Sequence, residues 1–248
     1  MRRLFLSDVH LSPRWPDRTA RLIEFLEREA AGADELYILG DLFDYWIGPK
    51  HLDLPDYREA LAVLRQATGR GLRVVFILGN RDFYMRRRFE EETGVRVAAG
   101  RTSHHMEVAS RKVCLCHGDY LEGRRDLGFW IQELIRSRPM EAFYTRLPAG
   151  MQKAGAGFYR RVSGSKPRRP SDLEDGKVLA EFRRGTDIIV CGHVHRAQEA
   201  RRSVDGREVV LFTLGDWSDG ASYLVEEGGR WELVAGHGFA RAGAAGSP

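Results

Sequence analysis

Five short segments concentrate the side chains that bind cations or move protons: Asp8-Val9-His10, Gly40-Asp41-Leu42-Phe43-Asp44, Gly79-Asn80-Arg81-Asp82, His117-Gly118-Asp119 and Gly192-His193-Val194-His195. Carboxylates, a carboxamide and neutral imidazoles are the ligands that hold borderline divalent cations such as Mn²⁺ or Fe²⁺. Each segment alone is ordinary turn chemistry, since Gly-Asp and Gly-Asn close turns and Gly-His-x-His suits a hairpin. Together they mean more, because each directly follows an apolar run that reads as a strand. Strand ends gather residues distant in sequence onto one rim, and glycine beside a ligand lets the backbone leave the strand sharply. The arrangement suits a dinuclear site. Two cations roughly 3.5 to 4 Å apart acidify a water between them and clamp the attacking and leaving oxygens of an in-line displacement.

The elements that must position these residues can be read from apolar spacing. Residues 4–6 form a short strand-like run, and 19–31 carry Leu22, Ile23, Phe25 and Leu26 at helical spacing. A strand over 36–39, a helix over 57–67 and a buried strand over 73–78 complete a β-α-β-α-β opening. From Ser103 the pattern changes to alternating strands at 104–109 and 112–116, turning at Ser110-Arg111. A helix over 172–183 and a strand over 187–191 follow. Hairpins then span 198–213, turning at Asp205-Gly206, and 221–225 with 230–234, around Glu227-Gly228-Gly229.

The chain of 248 residues is 43% hydrophobic and 30% charged, a globular composition. Its longest apolar runs, at 74–78 and 188–191, fall far short of the roughly 20 residues that span a bilayer. The opening Met1-Arg2-Arg3-Leu4-Phe5-Leu6-Ser7-Asp8 meets a carboxylate too soon for a signal-peptide core, so a cytoplasmic location is expected. Cys114, Cys116 and Cys191 lie in strand-like runs and read as buried reduced thiols. The formal charge of +4 is uneven: residues 120–170 hold 11 Lys and Arg against 4 Asp and Glu, a net +7 that leaves the remainder at −3. That segment is also rich in aromatic residues, with apolar stripes at helical spacing over 127–135 and 140–147 joined by Arg136-Ser137-Arg138-Pro139. The expected organisation is a single core of 1–119 and 171–235, a helical cap inserted at 120–170, and a flexible Gly/Ala-rich tail at 236–248.

The five motifs, in this order, resemble the calcineurin-like metallophosphoesterase superfamily, from residue 4 to about 234. The resemblance implies an α/β fold, a four-layer α/β/β/α sandwich with an inserted helical cap, and two divalent metal ions, Mn²⁺ being expected. Carried over residue by residue, Asp8, His10 and His195 bind one metal, Asn80, His117 and His193 bind the other, and Asp41 bridges them. Asp44 and Asp82 orient ligands, Asp82 being grouped with Arg81 as catalytic, and Asp119 serves loop structure. The superfamily's usual third motif reads Gly-Asn-His-Asp or Gly-Asn-His-Glu, whereas this chain has Arg81 at the histidine position. Arginine stays protonated and cannot act as a general acid, although it can neutralise developing charge. That favours a leaving group that needs no proton, such as the phosphate of a pyrophosphate.

Gly79-Asn80-Arg81-Asp82-Phe83 and Gly40-Asp41-Leu42-Phe43-Asp44-Tyr45-Trp46 are similar to one branch of the superfamily, which acts in lipid A biosynthesis. That branch cleaves UDP-2,3-diacylglucosamine to UMP and 2,3-diacylglucosamine 1-phosphate, with water attacking the uridine-side phosphorus. The cap would then hold acyl chains, and its basic residues Arg160, Arg161, Lys166, Arg168 and Arg169 would meet substrate phosphates and an anionic membrane surface. Asn80, Arg81, Arg161, Lys166 and His195 are assigned to substrate binding. Peripheral contact with the cytoplasmic face of the inner membrane is expected, with no nucleic acid and no obligate protein partner. Tyr120 to Asp126 departs from the branch's pattern. A phosphodiesterase or nucleotide pyrophosphatase acting on a soluble substrate remains the rival reading.

Overall fold

In β1 (Arg2–Leu6) successive side chains point to opposite faces. Leu4 and Leu6 join an apolar cluster with Leu22, Phe25 and Leu26 of α1 (Pro16–Arg28), while Phe5 joins a second cluster with Leu115, Ile188 and Val190. This alternation sets the architecture of the computed structural model, which describes residues 1–85, 87–99, 103–121, 127–148, 150–152, 154–155, 173 and 175–236.

The fold is mixed α/β. β1, β2 (Glu35–Ile38), β4 (Arg73–Phe76) and β6 (Arg96–Val97) run parallel, joined by α1, by α2 (Arg58–Gly69), which follows the short β3 (Trp46–Ile47), and by α3 (Arg87–Thr93), which follows β5 (Asp82–Phe83). The antiparallel strands β12 (Ala221–Glu227) and β13 (Arg230–Gly236) complete a sheet of order β13-β12-β1-β2-β4-β6. A five-stranded sheet has the order β10-β11-β9-β8-β7, from β7 (Ser103–Val108), β8 (Arg111–Cys116), β9 (Ile188–Cys191), β10 (Gln198–Val204) and β11 (Arg207–Thr213). Its central strands β8, β9 and β11 are parallel.

Three apolar clusters hold these elements. One joins α1, α2 and Phe89 of α3 to the six-stranded sheet, and one contains inward-facing residues of both sheets. The third joins Val178 and Phe182 of α6 (Asp175–Arg183) to Cys114, Cys116, Ile189 and Cys191. All three cysteines are buried and free. Burying these apolar side chains stabilises the fold by about 1.5 to 3 kcal/mol per large residue.

Several boundaries differ from expectation, for local reasons. α1 starts at Pro16 rather than at residue 19, because proline suits the first helical turn, where no amide partner is needed. The turn between β7 and β8 is Ala109-Ser110, both in the left-handed region (φ 47° and 63°), one residue earlier than Ser110-Arg111. The pair β3–β5 and the short β6 carry no readable periodicity at two residues each.

Between β8 and α6, α4 (Leu127–Ile135) and α5 (Arg138–Tyr144) form a helix pair. The second helix begins two residues before the expected 140, because the Ser137 side chain accepts from the Met140 amide and Pro139 sits in the first turn. Ile135 and Tyr144 pack with Phe83 and Tyr84 of the body, and the Tyr84 hydroxyl donates to the Ile135 carbonyl. Trp130, Leu134 and Phe143 are 58 to 60% exposed. Residues 156–172 and the expected tail beyond 236 lie outside the described residues.

Candidate metal centre

The parallel strands β1, β2, β4, β8 and β9 each run at their C-terminal ends into a loop carrying one of the five motifs. Backbone bonds lock these loops together. Asp8 N donates to Gly40 O at 3.2 Å, His10 N to Asp41 O at 3.0 Å and Gly192 N to His117 O at 2.8 Å. His193 N donates across the two sheets to Asp8 Oδ2 at 2.8 Å. The approach there is so close that a Cβ on Gly192 would lie 2.0 Å from Ser7 Oγ and 2.2 Å from Asp8 Oδ2.

Asp8, His10, Asp41, His193 and His195 all have φ between 51° and 70°. Side-chain-bearing residues rarely adopt this region. Such conformations cost of order 1 to 3 kcal/mol each and persist where the surroundings impose them, characteristically at functional sites.

The side chains converge in two groups. Asp8 Oδ1 lies 3.2 Å from His195 Nε2 and 3.7 Å from His10 Nε2, and the two imidazole nitrogens are 3.3 Å apart. In the second group His117 Nε2 lies 2.8 Å from Asn80 Oδ1, 3.3 Å from His193 Nδ1 and 3.7 Å from Asp41 Oδ1. Asp8, Asp41 and His117 are fully buried, and Asp8 and Asp41 share a potential cation-binding set with His117.

This donor set fits divalent cations. The Leu39 carbonyl only accepts, so His117 Nδ1, 2.9 Å away, donates to it, and Nε2 faces the Asn80 carboxamide at 2.8 Å. Asp8 Oδ1 and Asp41 Oδ2 are buried with no hydrogen-bond donor. Electron pairs aimed at one another in a dry pocket are costly unless a cation lies between them. Burial holds the His10 imidazole down at about 3, so it remains neutral and able to ligate near neutral pH. Burial alone would raise Asp8 and Asp41, but the adjacent imidazoles, His195 foremost for Asp8 and His117 for Asp41, hold both below the usual carboxylate range.

The neighbouring residues tie the ligand loops together. Asp82 Oδ2 accepts from the amides of Asp41 at 2.6 Å and Gly79 at 2.9 Å. Burial, with the Asp41 charge, pushes the Asp82 carboxyl up to about 7. Arg81 Nη1 donates to Asp44 Oδ1 at 2.8 Å, and its Nε lies 3.4 Å from Asp41 Oδ2. The guanidinium therefore rests beside the carboxylate placed between the two groups. Asp119 accepts from Arg136 at 3.0 Å. Arg136 also donates to the Gly79 carbonyl at 3.0 Å, a role that no sequence spacing marked among the many cations of the insertion. Arg161 and Lys166 lie outside the described residues.

Strand-end loops of this kind, with buried Asp and His side chains facing one another, define a metal-dependent hydrolase. The calcineurin-like phosphoesterase family model matches residues 1–197, and the chain belongs to that family. More particularly, it is 36% identical over 244 residues to a UDP-2,3-diacylglucosamine hydrolase of Aeromonas salmonicida, covering 94% of this chain and 92% of that protein. It is 35% identical to proteins of the same name from Vibrio cholerae serotype O1, covering 91% of this chain and 94% of the other, and from Stenotrophomonas maltophilia, covering 94% and 98%.

Proposed function

We propose that this chain hydrolyses the pyrophosphate of UDP-2,3-diacylglucosamine to UMP and 2,3-diacylglucosamine 1-phosphate, using two divalent cations, Mn²⁺ by preference. Asp8, His10 and His195 would hold one, Asn80, His117 and His193 the other, and Asp41 would serve both. The observation that carries this reading is the convergence of His117 Nε2 with Asn80 Oδ1 and His193 Nδ1, beside the buried Asp8 Oδ1 and Asp41 Oδ2, which accept no hydrogen bond. Its substrate follows from the relatives' shared name at 35 to 36% identity over nearly the whole chain.

When bound, the cations supply an acidified water and charge stabilisation at phosphorus. The chain's own residues do the rest. Asn80, Arg81 and His195 orient the substrate phosphates, and Arg81, held by Asp44, offsets charge developing on the departing sugar phosphate without transferring a proton. Arg161 and Lys166 contribute further phosphate contacts. Asp82 holds the 41 and 79–82 loops in register. The exposed Trp130, Leu134 and Phe143 supply apolar surface for acyl chains and for peripheral contact with the cytoplasmic face of the inner membrane. Among the described residues no helix is long and apolar enough to cross a membrane.

The test offers purified enzyme with Mn²⁺ in detergent four substrates: UDP-2,3-diacylglucosamine, UDP-N-acetylglucosamine, bis-para-nitrophenyl phosphate and a diadenosine polyphosphate. UMP release confined to the diacyl substrate, and abolished in Asp41→Ala, is the expected result. Equal turnover of the soluble substrates would replace the lipid assignment with a soluble-nucleotide one.

A further inference from the structure

A second cluster of ligating side chains lies away from the catalytic rim. In the antiparallel pair β7–β8, His105 stands directly opposite Cys114, so both side chains project from the same face of the sheet. That is the face covered by α6, which lays Glu181 over the pair, with His105 Nδ1 3.9 Å from Glu181 Oε1. One thiol, one imidazole and one carboxylate atom here all lie within 4.8 Å of one another. Cys114 is three residues back along β8 from His117, about 10 Å at the rise of a strand.

We propose that His105, Cys114 and Glu181 form a binding site for a soft divalent cation of the Zn²⁺ class, separate from the catalytic centre. Thiolate and imidazole are the ligands that such cations prefer, and the catalytic set contains no sulfur. Zn–S and Zn–N bonds of roughly 2.3 and 2.0 Å require the three atoms to close by about 1 Å. His105, whose side chain is 58% exposed, is free of packing on one side and can make that movement.

Two of the three ligands, His105 and Glu181, border a cleft, while the third, Cys114, is fully buried. His105, Glu181, Tyr120, Lys112 and Arg184 line an open cleft of about 570 Å³. Glu181 is buried at 4% exposure. Its Oε2 accepts from Arg184 at 3.1 Å, whereas Oε1 accepts from Thr186 at 2.9 Å and faces His105. The Tyr120 hydroxyl lies 3.5 Å from Cys114 Sγ. Cation binding displaces the thiol proton, as at other thiolate sites, and ties the edge strand β7 to β8 and α6.

Titration of the purified, full-length protein with Co²⁺ reads this site alone, because a thiolate-to-cobalt charge-transfer band cannot arise from the Asp, His and Asn ligands of the catalytic centre. The expected band saturates at one Co²⁺ per chain, is displaced by Zn²⁺, disappears in Cys114→Ser and needs at least tenfold more Co²⁺ in His105→Ala and Glu181→Gln. His105→Ala alters an exposed side chain and serves where the buried substitutions disturb folding. Absence of the band, or a band unchanged in His105→Ala, would overturn the proposal.

Discussion

Arg136, just past the end of α4, donates to the carbonyl of Gly79, the residue before Asn80. The same nitrogen lies 3.0 Å from Asp119 Oδ2, two residues after His117. One side chain from the link between α4 and α5 thus braces the 79–82 and 117–119 loops. Hydrogen bonds to charged groups contribute about 1.5 to 3 kcal/mol. Arg136→Ala is therefore expected to lower kcat/KM by roughly tenfold or more, with Arg136→Lys recovering part of the loss. Steady-state kinetics on both variants measure this, and a wild-type rate in Arg136→Ala would show the brace to be idle.

Arg81 rests between Asp41 and Asp44 at the edge of the cluster. If it offsets charge in the transition state, Arg81→Ala lowers kcat by about 10²- to 10³-fold, the usual cost of one such donor. Metal content, measured on the same samples by elemental analysis, should stay near wild type. Loss of metal in step with activity would make Arg81 a structural support instead.

Metal removal should expose the strain of three buried carboxylates. In metal-free protein the Asp82 carboxyl is raised to about 7 by burial and by Asp41, against about 4 when unfolded. The folded state then holds a proton that the unfolded state releases between these values, so this group's contribution to stability is full below about pH 4 and is lost as pH rises through 7. Asp82→Asn cannot ionise and keeps an oxygen for the Asp41 and Gly79 amides. Thermal melts in chelator should show it gaining on wild type from pH 4 to 7. Parallel pH profiles for the two proteins would contradict this.

Gly192→Ala forces a methyl group against Ser7 Oγ and Asp8 Oδ2. Overpacking of this kind costs about 1 to 3 kcal/mol, and here it also displaces a ligand. A lower Tm together with weaker Mn²⁺ binding is expected in calorimetry. A stable variant with intact Mn²⁺ affinity would show that the junction of the two sheets can relax.

The candidate ligands were legible because polar, chemistry-bearing residues directly after apolar runs have no packing reason to be there. The structure brings Asp8, His10 and His195 into one group and Asn80, His117 and His193 into another because parallel strands share an end. The left-handed backbone at Asp8, His10 and Asp41 gave no such signal, since no glycine marks those positions. Arg136 was hidden for a different reason: its partners, Gly79 and Asp119, are set by tertiary placement and not by spacing. Likewise the facing of His105 and Cys114 across β7 and β8 depends on a strand register fixed by the Ala109-Ser110 turn.

The central claim is tested most directly by hydrolysing UDP-2,3-diacylglucosamine in ¹⁸O-water with Mn²⁺ and following the products by ³¹P NMR, with Asp41→Ala alongside. The expected result is ¹⁸O in UMP and none in 2,3-diacylglucosamine 1-phosphate, with no product from Asp41→Ala. Label in the sugar phosphate, or undiminished turnover by the variant, would contradict it.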